Sequence, residues 1–125
     1  MSASLRSTFL VHWIVSLLFG LPMLIAPGRL LGLFEWAPID PITSRMYGAA
    51  LLALAWGSFR GWRASNWAQV SLLVELEAAF TVLASIGLLR HLLFASYPWY
   101  VWAILLVMVL FAVAWIAALV RKSPE

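Results

Sequence analysis

The run from Trp67 to Leu89 reads as a membrane span, and it carries Glu75 and Glu77 close to its midpoint. A stretch of about 20 predominantly apolar residues crosses the roughly 30 Å hydrocarbon layer of a bilayer. An ionisable group at that depth costs at least ~2.5 kcal/mol unless it is paired, protonated or wetted. Two such groups on one helix are therefore the strongest constraint on what the chain can become.

The rest of the sequence agrees with a membrane setting. Of 125 residues, 65% are hydrophobic and 10% charged, and the mean hydropathy is +0.99. Soluble domains average about 45–50% apolar and about 25% charged residues. The eight Lys and Arg residues flank the apolar runs singly or in pairs. That is the pattern of membrane anchoring, and it argues against nucleic acid as a partner. No cysteine is present, which excludes disulfides, thiolate metal sites and thiol redox chemistry. Arg6 ahead of an apolar run could open a signal peptide, but Phe9 to Ala26 is longer than a signal core, and the reading is a retained first span.

The fold class expected is an all-α membrane protein, a four-transmembrane-helix bundle forming one domain over residues 1–125. The spans run at about 7–26, 41–60, 66–89 and 97–120. Pro22 should bend span one, and Pro27-Gly28 should stop it. Asp40-Pro41 is a helix-start signal for span two, with Asp as N-cap and Pro at the first helical position. Ser65 or Asn66 caps span three, Arg90-His91 ends it, and Tyr97-Pro98 opens span four. The segment between spans one and two, with Arg29, Glu35 and Trp36, is too short to cross and reads as an interfacial helix or hairpin. With the N-terminus inside, the inner segments carry Arg6, Arg60, Arg63, Arg121 and Lys122, and the outer ones Arg29, Arg45 and Arg90. That excess places both termini in the cytoplasm. Trp36, Tyr97, Trp99 and Tyr100 would form the outer aromatic belt, and Trp62, Trp67 and Trp115 the inner one. No internal repeat supports an inverted-repeat transporter.

The candidate ligand- or proton-binding residues are Glu75, His12, Glu77 and Ser71. Glu75 and Glu77 are two apart on a helix and point about 200° away from each other, so they cannot share a proton as a dyad. Glu75 shares a face with Ser71, Ala78, Ala79, Val82 and Ser85, a small and polar stripe suited to helix contact. Glu77 shares one with Val70, Leu73, Thr81, Ala84 and Leu88. Glu75 is therefore expected to be the interior carboxylate. The plainer alternative makes both structural, protonated and bonded to backbone carbonyls and hydroxyls. His12 lies at a depth similar to Glu75, so an imidazole–carboxylate pair across two helices would meet both desolvation costs. A hydroxyl partner, or a haem or pigment ligated by the imidazole, are the other readings of His12. The cofactor stays unassigned, and no His, Asp and Glu cluster suggests a metal. Arg45, Arg29 and Arg90 are outer-side charges that could hold a lipid phosphate. Arg45 could instead snorkel or pair with Glu35 or Asp40. Ala49, Ala53 and Gly57 recur every four residues and mark a stripe for close packing.

The first half of the chain resembles small bacterial four-helix membrane proteins of the DoxX-like kind. The segments that carry the likeness are Phe19-Gly20-Leu21, Ala26-Pro27-Gly28-Arg29-Leu30-Leu31-Gly32-Leu33, Asp40-Pro41, and Arg45-Met46-Tyr47-Gly48-Ala49-Ala50-Leu51. The resemblance implies a four-helix bundle in a bacterial plasma membrane and brings no assigned activity. Fluoride channels and small multidrug transporters share the length but not the motifs: there is no Thr-Thr-Phe-Ser run and no Glu in span one. Neither a P-loop nor a Gly-x-Ser-x-Gly elbow is present. The expected function is thus non-enzymatic, as an accessory or self-assembling subunit of a larger membrane complex. The alternative is a binder or carrier of a small lipophilic or cationic ligand anchored by a midplane carboxylate. Lipid, a second copy or a larger complex are the partners this allows.

Overall fold

The computed structural model describes residues 1–35 and 40–121. All the regular structure among them is helical: α1 (Ala3–Ile25), α2 (Pro27–Gly32), α3 (Pro41–Arg63), α4 (Ser71–Phe94) and α5 (Trp99–Arg121), with a 3₁₀ turn at Trp67–Gln69. Three helices, α1, α4 and α5, are long and apolar enough to cross a membrane. Trp36 of the expected outer belt and Lys122 lie outside the described residues.

The helix boundaries follow local chemistry. Asp40 caps α3: its Oδ1 accepts from the Ile42 and Thr43 amides at 2.9 and 3.3 Å. Its Oδ2 accepts from the Thr43 hydroxyl at 2.7 Å. These three bonds hold the Asp40 carboxyl below its ordinary value, the Thr43 hydroxyl contributing most. α1 runs through Pro22 and ends at Ile25. Ala26 leaves the helical region, and Pro27 restarts the chain at the first position of α2.

The third span begins later than expected. Asn66 does act as an N-cap, accepting from the Gln69 amide at 3.1 Å, but it caps the 3₁₀ turn. Val70, at φ −121° and ψ −11°, interrupts the helix before Ser71. At the other end α4 continues past Arg90 and His91 to Phe94, because exposed side chains there need not stop a helix. Ala95 is then extended, three residues ahead of Pro98. This shift moves Glu75 away from the middle of the span. At 1.5 Å per residue it lies only about 6 Å from the Ser71 end, and Glu77 about 9 Å.

The chain divides into two compact units, residues 1–8 with 64–125, and residues 9–63. In the first, α4 and α5 pack along each other. Their short connection makes them antiparallel neighbours. The buried positions are Val74, Glu77, Ala78, Thr81 and Leu92 on α4, and Val101, Leu105, Ala112 and Trp115 on α5. Leu5 is also buried, and the Arg6 guanidinium donates to the Ala64 carbonyl at 3.3 Å.

In the second unit α1 and α3 approach closely through glycine. A Cβ placed on Gly48 would lie 2.5 Å from the Leu24 amide nitrogen and 2.8 Å from the Met23 carbonyl carbon. One on Gly61 would lie 2.5 Å from the ring of Phe9, itself buried. The packed stripe of α3 is Gly48, Leu51, Ala55, Ser58 and Gly61. The expected Ala49–Ala53–Gly57 stripe is thus misplaced around the helix, since Ala49 and Ala53 are exposed. Both stripes recur at helical spacing, and only the course of α1 selects between them.

Large apolar side chains populate the outer faces throughout. Leu18, Ile25, Leu72, Leu83, Leu93, Leu110 and Val120 are all exposed. That exposure suits a lipid environment, where large apolar side chains can face acyl chains and helix interfaces are enriched in small residues.

Candidate functional site

Among the described residues five polar or charged side chains are buried: His12, Ser16, Ser58, Glu77 and Thr81. They form two groups, one in each unit.

In the 9–63 unit, His12 and Ser16 lie one turn apart on the buried face of α1, in line with Phe9 and Gly20. His12 Nδ1 is 2.8 Å from Ser58 Oγ on α3. His12 Nε2 is 3.4 Å from Ser16 Oγ. A neutral imidazole offers one N–H donor and one acceptor, and a hydroxyl can complement either. The arrangement gives each ring nitrogen a hydroxyl neighbour and ties α1 to α3 at a point between the two glycine contacts. Of the readings open for His12, the hydroxyl partner is the one this geometry contains. Ser58 was not singled out by sequence; its only signal is membership of the small-residue stripe. Ser16 could have been found from its i, i+4 relation to His12.

Beside this group stand four aromatic rings. Trp13 meets Phe59 at 5.1 Å between centroids and stacks on Trp62 at 6.0 Å. Trp56 and Trp62 flank Phe59 at 5.7 and 6.1 Å. The Arg63 guanidinium sits 5.8 Å from the Phe59 centroid, a cation–π contact at the basic end of α3.

In the other unit, Glu77 is 2% exposed, whereas Glu75 is exposed. This reverses the expected assignment of the interior carboxylate. Counted by helical spacing, Val74, Glu77, Ala78 and Thr81 make one continuous stripe, and that stripe is buried. Glu75 instead shares its side of α4 with the exposed Leu72, Ala79 and Ile86. Ser71, the first residue of α4, is half-buried. Polarity and size do not distinguish the two faces, because both contain small residues. The Glu75 half of the His12–Glu75 pair thereby loses its basis. Around Glu77 the hydroxyls turn back on the helix: Thr81 Oγ1 donates to the Glu77 carbonyl at 2.8 Å, and Ser85 Oγ to the Thr81 carbonyl at 2.7 Å. Such bonds remove the donors from the helix surface and leave the buried face compact.

Arg29, Arg45 and Arg90, expected on the outer side, are exposed. The Asp40 carboxylate, one expected partner of Arg45, accepts its hydrogen bonds at the helix cap from Ile42 and Thr43. His91 lies against Tyr97, ring centroids 5.5 Å apart. Among the described residues no group of His, Cys, Asp and Glu could hold a metal ion.

One cavity of about 280 Å³ lies in the unit of residues 1–8 and 64–125. Its lining includes Ser2, Ser4, Leu5 and Thr8 from the start of α1, Trp67, and Ala114, Ala117, Ala118 and Arg121 from the end of α5. Neither Glu75 nor Glu77 lines it. No family model, curated protein or solved structure matches this chain.

Proposed function

We propose that this is a four-span integral membrane protein of the DoxX-like kind that works by association, as a self-assembling or accessory subunit of a larger membrane complex and without catalysis of its own. In this reading α3 is the additional span: its 23 residues reach about 35 Å. Arg45 stands one turn from one end, and Arg60 and Arg63 stand at the other. α2 lies at the outer interface, and both termini face the cytoplasm, as the basic residues favour.

The observation that carries the proposal is the exposure of Glu75. A carboxylate among Leu72, Ala79 and Ile86 faces acyl chains unless another helix covers it. An uncompensated charge costs at least ~2.5 kcal/mol at the bilayer centre and less this close to a helix end, but the carboxylate still lies on an apolar face. A hydrogen-bond donor on a partner helix removes that cost and gives the contact its register. A ligand-carrier reading would need Glu77, since Glu75 is not interior, and the cavity does not reach Glu77.

The test is extraction from native membranes in mild detergent, followed by sizing and native mass spectrometry. The expected result is a defined assembly, with a second copy or one partner in fixed ratio, that Glu75→Leu weakens. Recovery of single chains only, unaffected by Glu75→Leu, would overturn the proposal.

A further inference from the structure

The cavity at the start of α1 and the end of α5 has a polarity gradient. Ala114, Ala117, Ala118 and Arg121 are spaced i, i+3, i+4 and i+7, so they align along one face of α5. This face extends about 10 Å, from an alanine floor to a guanidinium at the rim. The lining also holds Ser2, just ahead of α1, and Ser4, Leu5 and Thr8 of its first turns. Ser2 Oγ accepts from the Leu5 amide at 3.2 Å, which leaves its own proton to donate outward. Thr8 Oγ1 donates to the Ser4 carbonyl at 3.0 Å, so it presents lone pairs. Trp67 completes the wall. No acidic side chain lines the cavity among the described residues.

We infer that this cavity seats an anionic phospholipid, its phosphate held by Arg121 and the hydroxyls of Ser2 and Ser4, and the first carbons of one chain laid along Ala118, Ala117 and Ala114. Among the described residues the lining carries a guanidinium and no carboxylate, which selects an anion. The floor is apolar, which selects an anion that carries hydrocarbon. Its position at the ends of two membrane-length helices puts the rim at headgroup level. The volume is at the lower edge of the ~300–1,000 Å³ of small-molecule sites, enough for a headgroup and a few methylenes while the rest of the lipid stays in the bilayer. The inference rests on the membrane reading and not on self-assembly.

Native mass spectrometry of the full chain, delipidated in neutral detergent, tests it with three probes added separately: phosphatidylglycerol, phosphatidylcholine and inorganic phosphate. Retention of phosphatidylglycerol over phosphatidylcholine is expected, with no retention of inorganic phosphate. Arg121→Gln should lower phosphatidylglycerol occupancy about tenfold, the effect of losing one charge-assisted hydrogen bond, and Arg121→Lys should restore part of it. Ala117→Leu, which fills the floor, should lower it without changing the charge. Equal retention of both lipids, equal binding of inorganic phosphate, or wild-type occupancy in folded Arg121→Gln would each overturn the inference. The same spectra give the oligomeric mass, so lipid selectivity and assembly fail or hold separately. Folding is followed by far-UV circular dichroism.

Discussion

The two units solve the same packing problem differently. In residues 9–63, α1 meets α3 backbone to backbone at Gly48 and through the Phe9 ring at Gly61, and a His12–Ser58 hydrogen bond pins them between those points. In residues 1–8 with 64–125, α4 and α5 meet through full side chains, Val74, Leu92, Val101, Leu105 and Trp115, with a carboxylate enclosed on the same stripe. In the first unit the buried polar groups are two hydroxyls and an imidazole, set between Phe9 and Leu51. The second encloses Glu77, which is 2% exposed. In lipid the outer face gains nothing from being polar, so what fits decides which face turns inward.

Glycine contacts should give the largest effects. Gly48→Leu would drive a side chain into the backbone at Met23 and Leu24, and its cost should exceed the ~1–3 kcal/mol of ordinary overpacking. Loss of folded protein in detergent is expected. Gly87→Leu, where a Cβ meets nothing within 4 Å, should be close to neutral. Similar losses at both positions would remove the distinction between the units.

The carboxylates come next. Glu77→Ala empties a buried position and should destabilise the chain by about 2–4 kcal/mol, measured by reversible unfolding in mixed micelles. Glu75→Ala should change that stability by no more than about 0.5 kcal/mol, as for most exposed positions. Equal effects would mean that the face of α4 is wrongly identified.

A smaller effect is expected at the pin of the first unit. Ser58→Ala should cost about 0.6–1.5 kcal/mol, the range for a hydrogen bond between membrane helices. A double-mutant cycle with His12→Leu should give a coupling of that size, and one with Ser16→Ala less, since that contact is 3.4 Å. Strict additivity for His12 and Ser58 would show that close packing alone joins α1 to α3.

The smallest effect concerns the cap of α3. Because the folded state holds Asp40 below its ordinary value of 3.8, the cap's contribution is fully present above that value. It is lost as the pH falls through the lower folded-state value. Amide protection at Ile42 and Thr43 should therefore decline below about pH 4, and Asp40→Asn should abolish the pH dependence. A decline that persists in Asp40→Asn would assign it to another group.

Where the signal is local, the sequence was informative. Asp40-Pro41, Pro27 and Asn66 each act as the residue chemistry indicates, because capping bonds span two or three residues. The start of α4 was misjudged since Asn66 caps a 3₁₀ turn, and nothing in Val70 announces a break. The candidate site was half legible. His12 and Glu77 were visible as ionisable groups in apolar runs, but Ser58, 46 residues from His12, was not visible as its partner. Arg121 was read as an end-of-span charge, and the cavity beneath it depends on the first turns of α1, far away in sequence.

Composition and hydropathy alone determined that the chain builds membrane-length helices, because burying apolar surface and satisfying the backbone internally leave few other options. Only the tertiary structure decided which face of each helix is covered. Two stripes of small residues on α3, and two carboxylates two positions apart on α4, are equivalent until a neighbouring helix approaches one of them. The approach is settled by steric fit across long sequence separations, which single-helix periodicity does not encode.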